Sequence, residues 1–476
     1  PPPPSETSST GDLKYKGSIV FYAQAYNPVE PTEANPNPPK AFKEVADKYH
    51  ALHPNINIEF LLDIGQGQAY EAWLITKMAG SQAPDVFWSP ARGINAGQLP
   101  AGSYVPLTQY LQRPNKYVPG NTKWLDLFNV GFTQQITSPT GEINVIAADY
   151  VATLVMYNKR MFREAGIDFD IKNWSDYTKA CELLKAKGFT PWQFPFKSWT
   201  GWMTRLWDTN LYMNDFANLA VIGGPDAISI SPLETAIGVK NGYFTSKDPR
   251  FIGWWPIMKE HVEKYMPRDS VSAIVDSTTT FNSFVNEQIA MYWDGSWADN
   301  DLKKARVSFE YASFPFPPPD KATIAAATDY NSSGAVGGPG AAFLYGVSSR
   351  GANSTMTDDK LEAVIDWLMY ITTPENNELV CNDLGSFVPT IKGAKPSPAN
   401  AGVASILEVA PKVIMGGSNG ELGSDAADGY TNELMAYLQG NQTLQQAGAN
   451  LDRLMQTGAD IIIEQSGQDI SRYLKK

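Results

Sequence analysis

Cysteine and histidine are scarce in this chain, with two and three residues among 476. Cys181 and Cys381 stand far apart, in neither a CxxC nor a metal-type spacing. Each falls in a helix-like segment, "YTKACELLKAKG" and "NNELVCNDLG", which predicts buried free thiols and leaves the redox compartment open. His50, His53 and His261 are scattered, and two of them sit at a helix end beside Pro54. That argues against a zinc set and against a Ser-His-Asp triad. No apolar run reaches the roughly 18 residues of a membrane-spanning helix. No GxxxxGKS/T loop occurs, so the chain does not itself hydrolyse ATP. Blocks of Lys and Arg are absent and the formal net charge is −12, which excludes nucleic acid and anionic membrane as expected partners. There is no initiator Met and no signal peptide, so the chain is read as starting after a processing site. Its Pro/Ser/Thr-rich start, "PPPPSETSSTGD", cannot build a core and is read as a tether.

What the chain does have is aromatic surface. Aromatics make up 12%, including 13 Trp, within an ordinary globular balance of 43% hydrophobic and 18% charged residues. The length exceeds what one hydrophobic core supports, so at least two lobes are expected. The stretch "AMYWDGSW" (290–297) packs three large rings around an Asp and a Gly. That pattern reads as a strand ending in a turn that presents aromatic and polar surface together.

Along the chain, "GSIVFYAQ" (17–24) predicts a first strand, followed by a Pro/Asn-rich loop at 27–39. "KAFKEVADKYHALHP" (40–54) carries apolar residues at helical spacing, and "NINIEFLLD" (55–63) alternates as a strand does. Helix "QAYEAWLITKMAGSQ" (68–82) and strand "PDVFWSP" (84–90) follow. This rhythm implies an α/β layer with a parallel sheet, whose ligands sit at the carboxyl ends of strands. Those ends carry Gln24, Tyr26, Asp63, Trp88 and Arg92. After 141–167 the pattern changes to two strands and a helix, then to helix-compatible segments rich in Trp, including Trp199, Trp202 and Trp207 at 195–210. The pattern is that of a chain that leaves one α/β unit, builds another and returns, with no internal repeat.

Several segments, in order, resemble the maltose-binding-like substrate-binding proteins of ATP-driven sugar importers, an extracellular solute-binding family. The resemblance runs from about residue 17 to 455. "SQAPDVFW" (81–88), "YVPLTQYL" (104–111) and "GEINVIAADYVATLVMYNKRMFREAGI" (141–167) are similar to its strand, "l.pLd.yl" segment and hinge crossing. "FVNEQIAMYWDGSW" (284–297), "LGSFVPT" (384–390) and "YLQGNQTLQQAGANL" (437–451) are similar to its "F..GkaAM...GsW", "g.lP" and closing helix. The chain departs from the family at Glu287-Gln288, where Gly-Lys is usual, in the longer 27–39 loop, and over 195–275, which matches loosely.

The resemblance implies an α/β, two-lobed periplasmic-binding-protein-like fold, with hinge crossings and a ligand cleft at the lobe interface. By that analogy a flexible tether covers 1–11, the N-terminal lobe 12–148 plus 313–372, and the C-terminal lobe 149–312 plus 373–476. It also implies an extracytoplasmic component of an ABC transporter that captures a neutral oligosaccharide by hinge closure and aromatic stacking and delivers it to a membrane permease. Such a protein is a monomer without cofactor or metal, not an enzyme, in the periplasm or on the outer face of the cell membrane, lipid-anchored through a removed N-terminal segment.

Trp297 takes the role of the ring-stacking Trp, since an indole face complements the apolar face of a pyranose, and Asp294 offers an acceptor for hydroxyls. Trp293, in the strand before the turn, is read as core. Further ligand candidates are Gln24, Tyr26, Asp63 and Trp88 from the first strands, and Asp149 and Tyr150 from the hinge crossing. Trp199 and Trp202, three apart in a Gly-bearing loop, are expected in the pocket, with Trp207 in the core. Gly338 of "GGPG" completes the set, either approaching ligand closely or serving a hairpin turn. Two alternatives stand beside this reading. A polysaccharide-acting enzyme would need opposed carboxylates, which Asp63, Glu142, Asp149 and Asp294 could supply. A receptor of the same fold for a non-sugar solute is the other, and the scarcity of cations at strand ends disfavours an anionic one.

Overall fold

The computed structural model describes residues 13–33, 38–62, 64, 68–89, 99–100, 102–128, 133, 136–137, 141–224, 227, 229–272, 274–397 and 421–475. The chain divides into two compact units, Pro1–Val151 with Gly338–Ala404, and Ala152–Gly337 with Ser405–Lys476. The N-terminal tether, Asp63 and Arg92 lie outside the described residues.

A five-stranded sheet forms the first unit, in the order β2 (Ile56–Phe60), β1 (Gly17–Phe21), β3 (Val86–Trp88), β10 (Leu344–Val347), β4 (Val145–Ala147). The β1 strand runs parallel to both β2 and β3, as the alternation of strands and helices predicts. The returning β10 enters antiparallel to β3 and β4, so the sheet as a whole is mixed. Helix Ala41–Leu52 lays Phe42, Val45, Ala46 and Tyr49 into the core at helical spacing. Its first turn is capped from another helix, where Asp383 Oδ2 accepts the amides of Lys40 (2.6 Å) and Ala41 (2.8 Å). It ends at His53, ahead of Pro54. Asp85, fully buried, accepts the Val20 amide at 2.8 Å and pairs with Lys360 Nζ at 2.8 Å. One carboxylate thereby ties β1 and β3 to helix Asp358–Ile371. Breaking such a pair strands a buried charge, at a cost of about 3–5 kcal/mol.

Strand β5 (Asp149–Asn158) carries the chain from the first unit into the second. Within the first unit Tyr150 pairs with Val388 of β11 (Val388–Pro389). From Thr153 onward β5 pairs antiparallel with β7 (Met291–Gly295) and β8 (Tyr311–Pro315), and β6 (Trp192–Gln193) adds parallel to β7. Residues 313–337 therefore belong to the second unit, because β8 is laddered to β5. Residues 373–404 belong to the first, where helix Pro374–Leu384 packs on helix Ala41–Leu52. The family-based division puts both segments the other way round. The Pro-rich run after β8 is thus internal to the second unit, and the return to the first comes at β9 (Gly337–Pro339).

The core of the second unit absorbs six of the 13 tryptophans. Trp174, Trp192, Trp207, Trp254, Trp255 and Trp293 are each no more than 1% exposed. Helix Leu444–Ser466 packs against helix Pro232–Lys240, contributing Ala447, Leu451, Met455 and Ala459 to the same core. Both cysteines are free thiols, buried one in each unit.

Candidate functional site

Four of the predicted site residues come together in the second unit. The stretch around Trp199 and Trp202, read from sequence as a Gly-bearing loop within a helix-compatible segment, is part of helix Phe196–Leu211. Pro195 opens it, and Gly201 sits in its interior. The helical spacing brings Trp199 and Trp202 face to face, ring centroids 3.9 Å apart and planes within 12°. Trp297 meets both, at 6.5 Å and 51° from Trp199 and at 6.0 Å and 60° from Trp202. Trp202 also backs edge-on against buried Trp293 at 5.7 Å. Because one face of Trp202 is covered by Trp199, the stacked pair offers a ligand the Trp199 side. All three rings are half-buried, unlike the six core tryptophans.

Trp199 and Trp297 line a cavity of about 480 Å³, within the range of small-molecule sites. The N-terminal turns of helix Ser277–Val285 supply Ser277, Thr278 and Phe281. Asp294, at the end of β7, and Asp301, Lys304 and Ala305 of helix Ala298–Ala305 complete the lining. Lys304 lies 3.9 Å from Asp301. The sequence reading missed every one of these except Asp294. Part of the set was nonetheless legible, since Trp297, Asp301, Lys304 and Ala305 follow one another at i, i+4, i+7 and i+8, one face of a helix. That Ser277, Thr278 and Phe281 join them is a tertiary fact without a local signature.

Asp294 is 6% exposed and its carboxyl pKa is pushed up to about 7. Burial is the chief cause, and Asp301 adds a like charge. The Gly295 amide, at 2.8 Å from Oδ1, and the Trp297 side chain donate hydrogen bonds that oppose the rise. A poorly solvated carboxyl beside open indole faces and two hydroxyls is suited to receive donors from a ligand that also has apolar faces.

In the first unit the candidates are dispersed, and three are fully committed to the fold. Asp149 is completely buried, and its carboxylate accepts the amides of Ala341 (2.8 Å), Ala342 (3.0 Å) and Phe343 (2.9 Å) and the Tyr26 hydroxyl (3.0 Å). Burial still raises its pKa, against those four donors. Tyr26, 1% exposed, packs edge-on against Phe42, Phe343 and Phe387. Tyr150 is also 1% exposed, its backbone paired with Val388. None of these side chains presents surface to a ligand, which corrects their reading as contacts. Sequence position at a strand end tells where a residue lies along the chain, not which way its side chain points.

Gln24 is half-buried with φ +55°, and its own amide oxygen accepts the Ala25 N–H. Trp88 is half-buried, donates Nε1–H to the Ala341 carbonyl at 2.9 Å and lies 5.6 Å from the Tyr70 ring. Gly338 is buried in β9 with φ +128°. The neighbouring Gly340, φ +72°, lets the segment fold onto Asp149, and a Cβ there would meet Leu344 Cδ1 at 2.6 Å. The "GGPG" run thus serves the backbone cradle around that carboxylate.

No group of three or more His, Cys, Asp or Glu that could hold a metal occurs among the described residues. Nor is any described helix long and apolar enough to cross a membrane. The family model described as bacterial extracellular solute-binding protein matches residues 34–378. No curated protein matches the chain. Among solved structures, a chitin oligosaccharide binding protein is 20% identical with a TM-score of 0.64, covering 94% of this chain and 99% of its own. The solute-binding protein RafE in complex with raffinose is 16% identical at TM-score 0.60, over 93% of this chain and 100% of that one. Maltose-bound MalE3 of T. maritima is 14% identical at TM-score 0.60, over 92% and 99%. At these identities the structures establish a shared fold, and the family match spans well over half of the sequence. With its two α/β units, the chain belongs to the bacterial extracellular solute-binding proteins.

Proposed function

We propose that this protein captures a neutral oligosaccharide outside the cytoplasm and delivers it to an ABC permease in the membrane. The observation that carries the reading is the 480 Å³ cavity in which the faces of Trp199 and Trp297 stand beside Ser277, Thr278 and Asp294. Indole faces favour the C–H faces of sugar rings, while hydroxyl and carboxyl groups take up the sugar hydroxyls. With a single Lys against two carboxylates in the lining, an anionic solute is disfavoured. The three similar structures are described with chitin oligosaccharide, raffinose and maltose, which supports the same ligand class. Capture by hinge closure and action as a monomer belong to the same proposal, with ligand contacts biasing the open–closed equilibrium.

One observation favours a second reading. A carboxyl raised to about 7 beside another carboxylate is also what a glycosidase places around a scissile bond. Tryptophan fluorescence titrated with raffinose, maltotriose, xylotriose and chitotriose, followed by chromatography of each mixture, separates the possibilities. A saturable change with intact glycan recovered, weakened at least about 30-fold in Trp297→Ala (roughly 2 kcal/mol or more of lost stacking and burial), supports a sugar receptor. Cleaved glycan would move the assignment to an enzyme. Silence across the panel would remove sugars as the ligand and leave the family membership untouched.

A further inference from the structure

Gly295 closes β7, is buried, and is not in the left-handed backbone region. Its backbone conformation is therefore open to any residue, and what singles out glycine is space. A Cβ built on Gly295 would lie 2.2 Å from Trp297 Cζ3, 2.3 Å from Cη2 and 2.4 Å from Cε3. The six-membered ring of the indole occupies the volume of the missing side chain. One residue earlier, the Asp294 carboxyl receives hydrogen bonds from the Trp297 side chain and from the Gly295 amide. Trp202 stands edge-on at 6.0 Å. The ring thus has a floor, a pin and a wall, all from its own unit.

We propose that Asp294 and Gly295 are positioning residues that hold the Trp297 indole in place before a ligand arrives. The inference rests on the reading of Trp297 as a ligand platform and deepens it. An aromatic side chain fixed in advance loses no rotamer freedom on binding, so the contact is stronger than one assembled around the ligand. The spacing "WDGSW" then has a physical logic: the Asp supplies an acceptor for the indole N–H, the Gly makes room for the ring, and the second Trp is the residue they hold.

The test has a ligand-free arm and a ligand arm. Protein labelled with fluorotryptophan is examined by fluorine NMR, the Trp297 resonance being assigned by its loss in Trp297→Phe. The expected result is one sharp wild-type resonance, shifted or split in Gly295→Ala and in Asp294→Leu. In Asp294→Asn, which keeps an acceptor oxygen, it should stay at its wild-type position. An unchanged resonance in Gly295→Ala, or one equally displaced in Asp294→Asn and Asp294→Leu, would overturn the arrangement. Because the steric conflict in Gly295→Ala is with a side chain able to swing away, the variant should fold, which its unchanged far-ultraviolet circular dichroism would report. In the second arm, calorimetry with raffinose, maltotriose, xylotriose and chitotriose should show affinity in Gly295→Ala reduced roughly tenfold or more. A displaced ring with undiminished affinity would overturn the positioning role. Absence of binding to all four by the wild type, with the NMR shifts as expected, would count against the sugar reading while upholding the held indole.

Discussion

Asp294 is held in a state that the unliganded protein stabilises poorly. Its carboxyl titrates near 7, against 3.8 for the unperturbed group. Between those values the native chain keeps a proton that the unfolded chain has released, so stability falls as pH rises through the window and is lowest above it. Asp294→Asn removes the cost. Urea denaturation should show the variant more stable than wild type by up to about 4 kcal/mol above pH 7, with the difference shrinking toward zero near pH 4. A difference that does not vary with pH would mean that Asp294 titrates normally. Glu287 carries another local cost, with φ +54° where the family usually has Gly. The side chain offsets it by accepting from Arg160 Nη2 at 2.6 Å and from buried Asn158 Nδ2 at 3.1 Å. Glu287→Ala keeps the strain and loses both partners, so it should destabilise by about 1–2 kcal/mol. Glu287→Gly relieves the strain and should cost less. Thermal melts of the two variants in the reverse order would show that the left-handed backbone at 287 carries no strain.

At the scale of elements, periodicity carried most of what could be read in advance. The helix Ala41–Leu52 and the strands β1 to β3 lie where apolar spacing predicts them. The misreadings have physical sources. Gly201 suggested a loop, yet Trp199, Met203 and Leu206 keep the helical interval and tertiary packing tolerates the glycine. Strand β5 is buried along nearly its whole length, so no alternation remained to show that Asp149 and Tyr150 are both buried. The site was legible where it is local, in the turn that contains Asp294 and Trp297. It was not where helix Ser277–Val285 joins from outside that turn. A further element-scale prediction concerns the capping box of helix Pro232–Lys240, where Ser231 and Glu234 cap each other. Glu234, 2% exposed, also accepts the amides of Ile222 (2.7 Å) and Gly223 (2.9 Å). Ser231→Ala should cost about 1 kcal/mol by denaturant titration, and Glu234→Ala two to three times as much. Equal losses would show that the bonds to 222–223 add nothing.

For the molecule as a whole, the two buried thiols make a matched pair of reporters. Cys181 lies in the second unit and Cys381 in the first, both fully buried, and burial raises both thiol pKa values. Iodoacetamide should leave both unmodified in the native protein and label them at the denaturant concentrations where their own unit opens. Two midpoints would mean that the units unfold separately, one midpoint that they unfold together, and rapid native labelling would contradict the burial. The order of synthesis adds a constraint. In the first unit β4 joins the sheet only through β10, so residues 145–147 wait for 344–347 to be made. In the second, the core finishes only with Met455 and Ala459 of the last long helix. Neither unit can be completed until segments far along the chain from its first strand have been made. A nascent chain of this design stays threadable until those late segments emerge, as suits a polypeptide that works on the far side of a membrane.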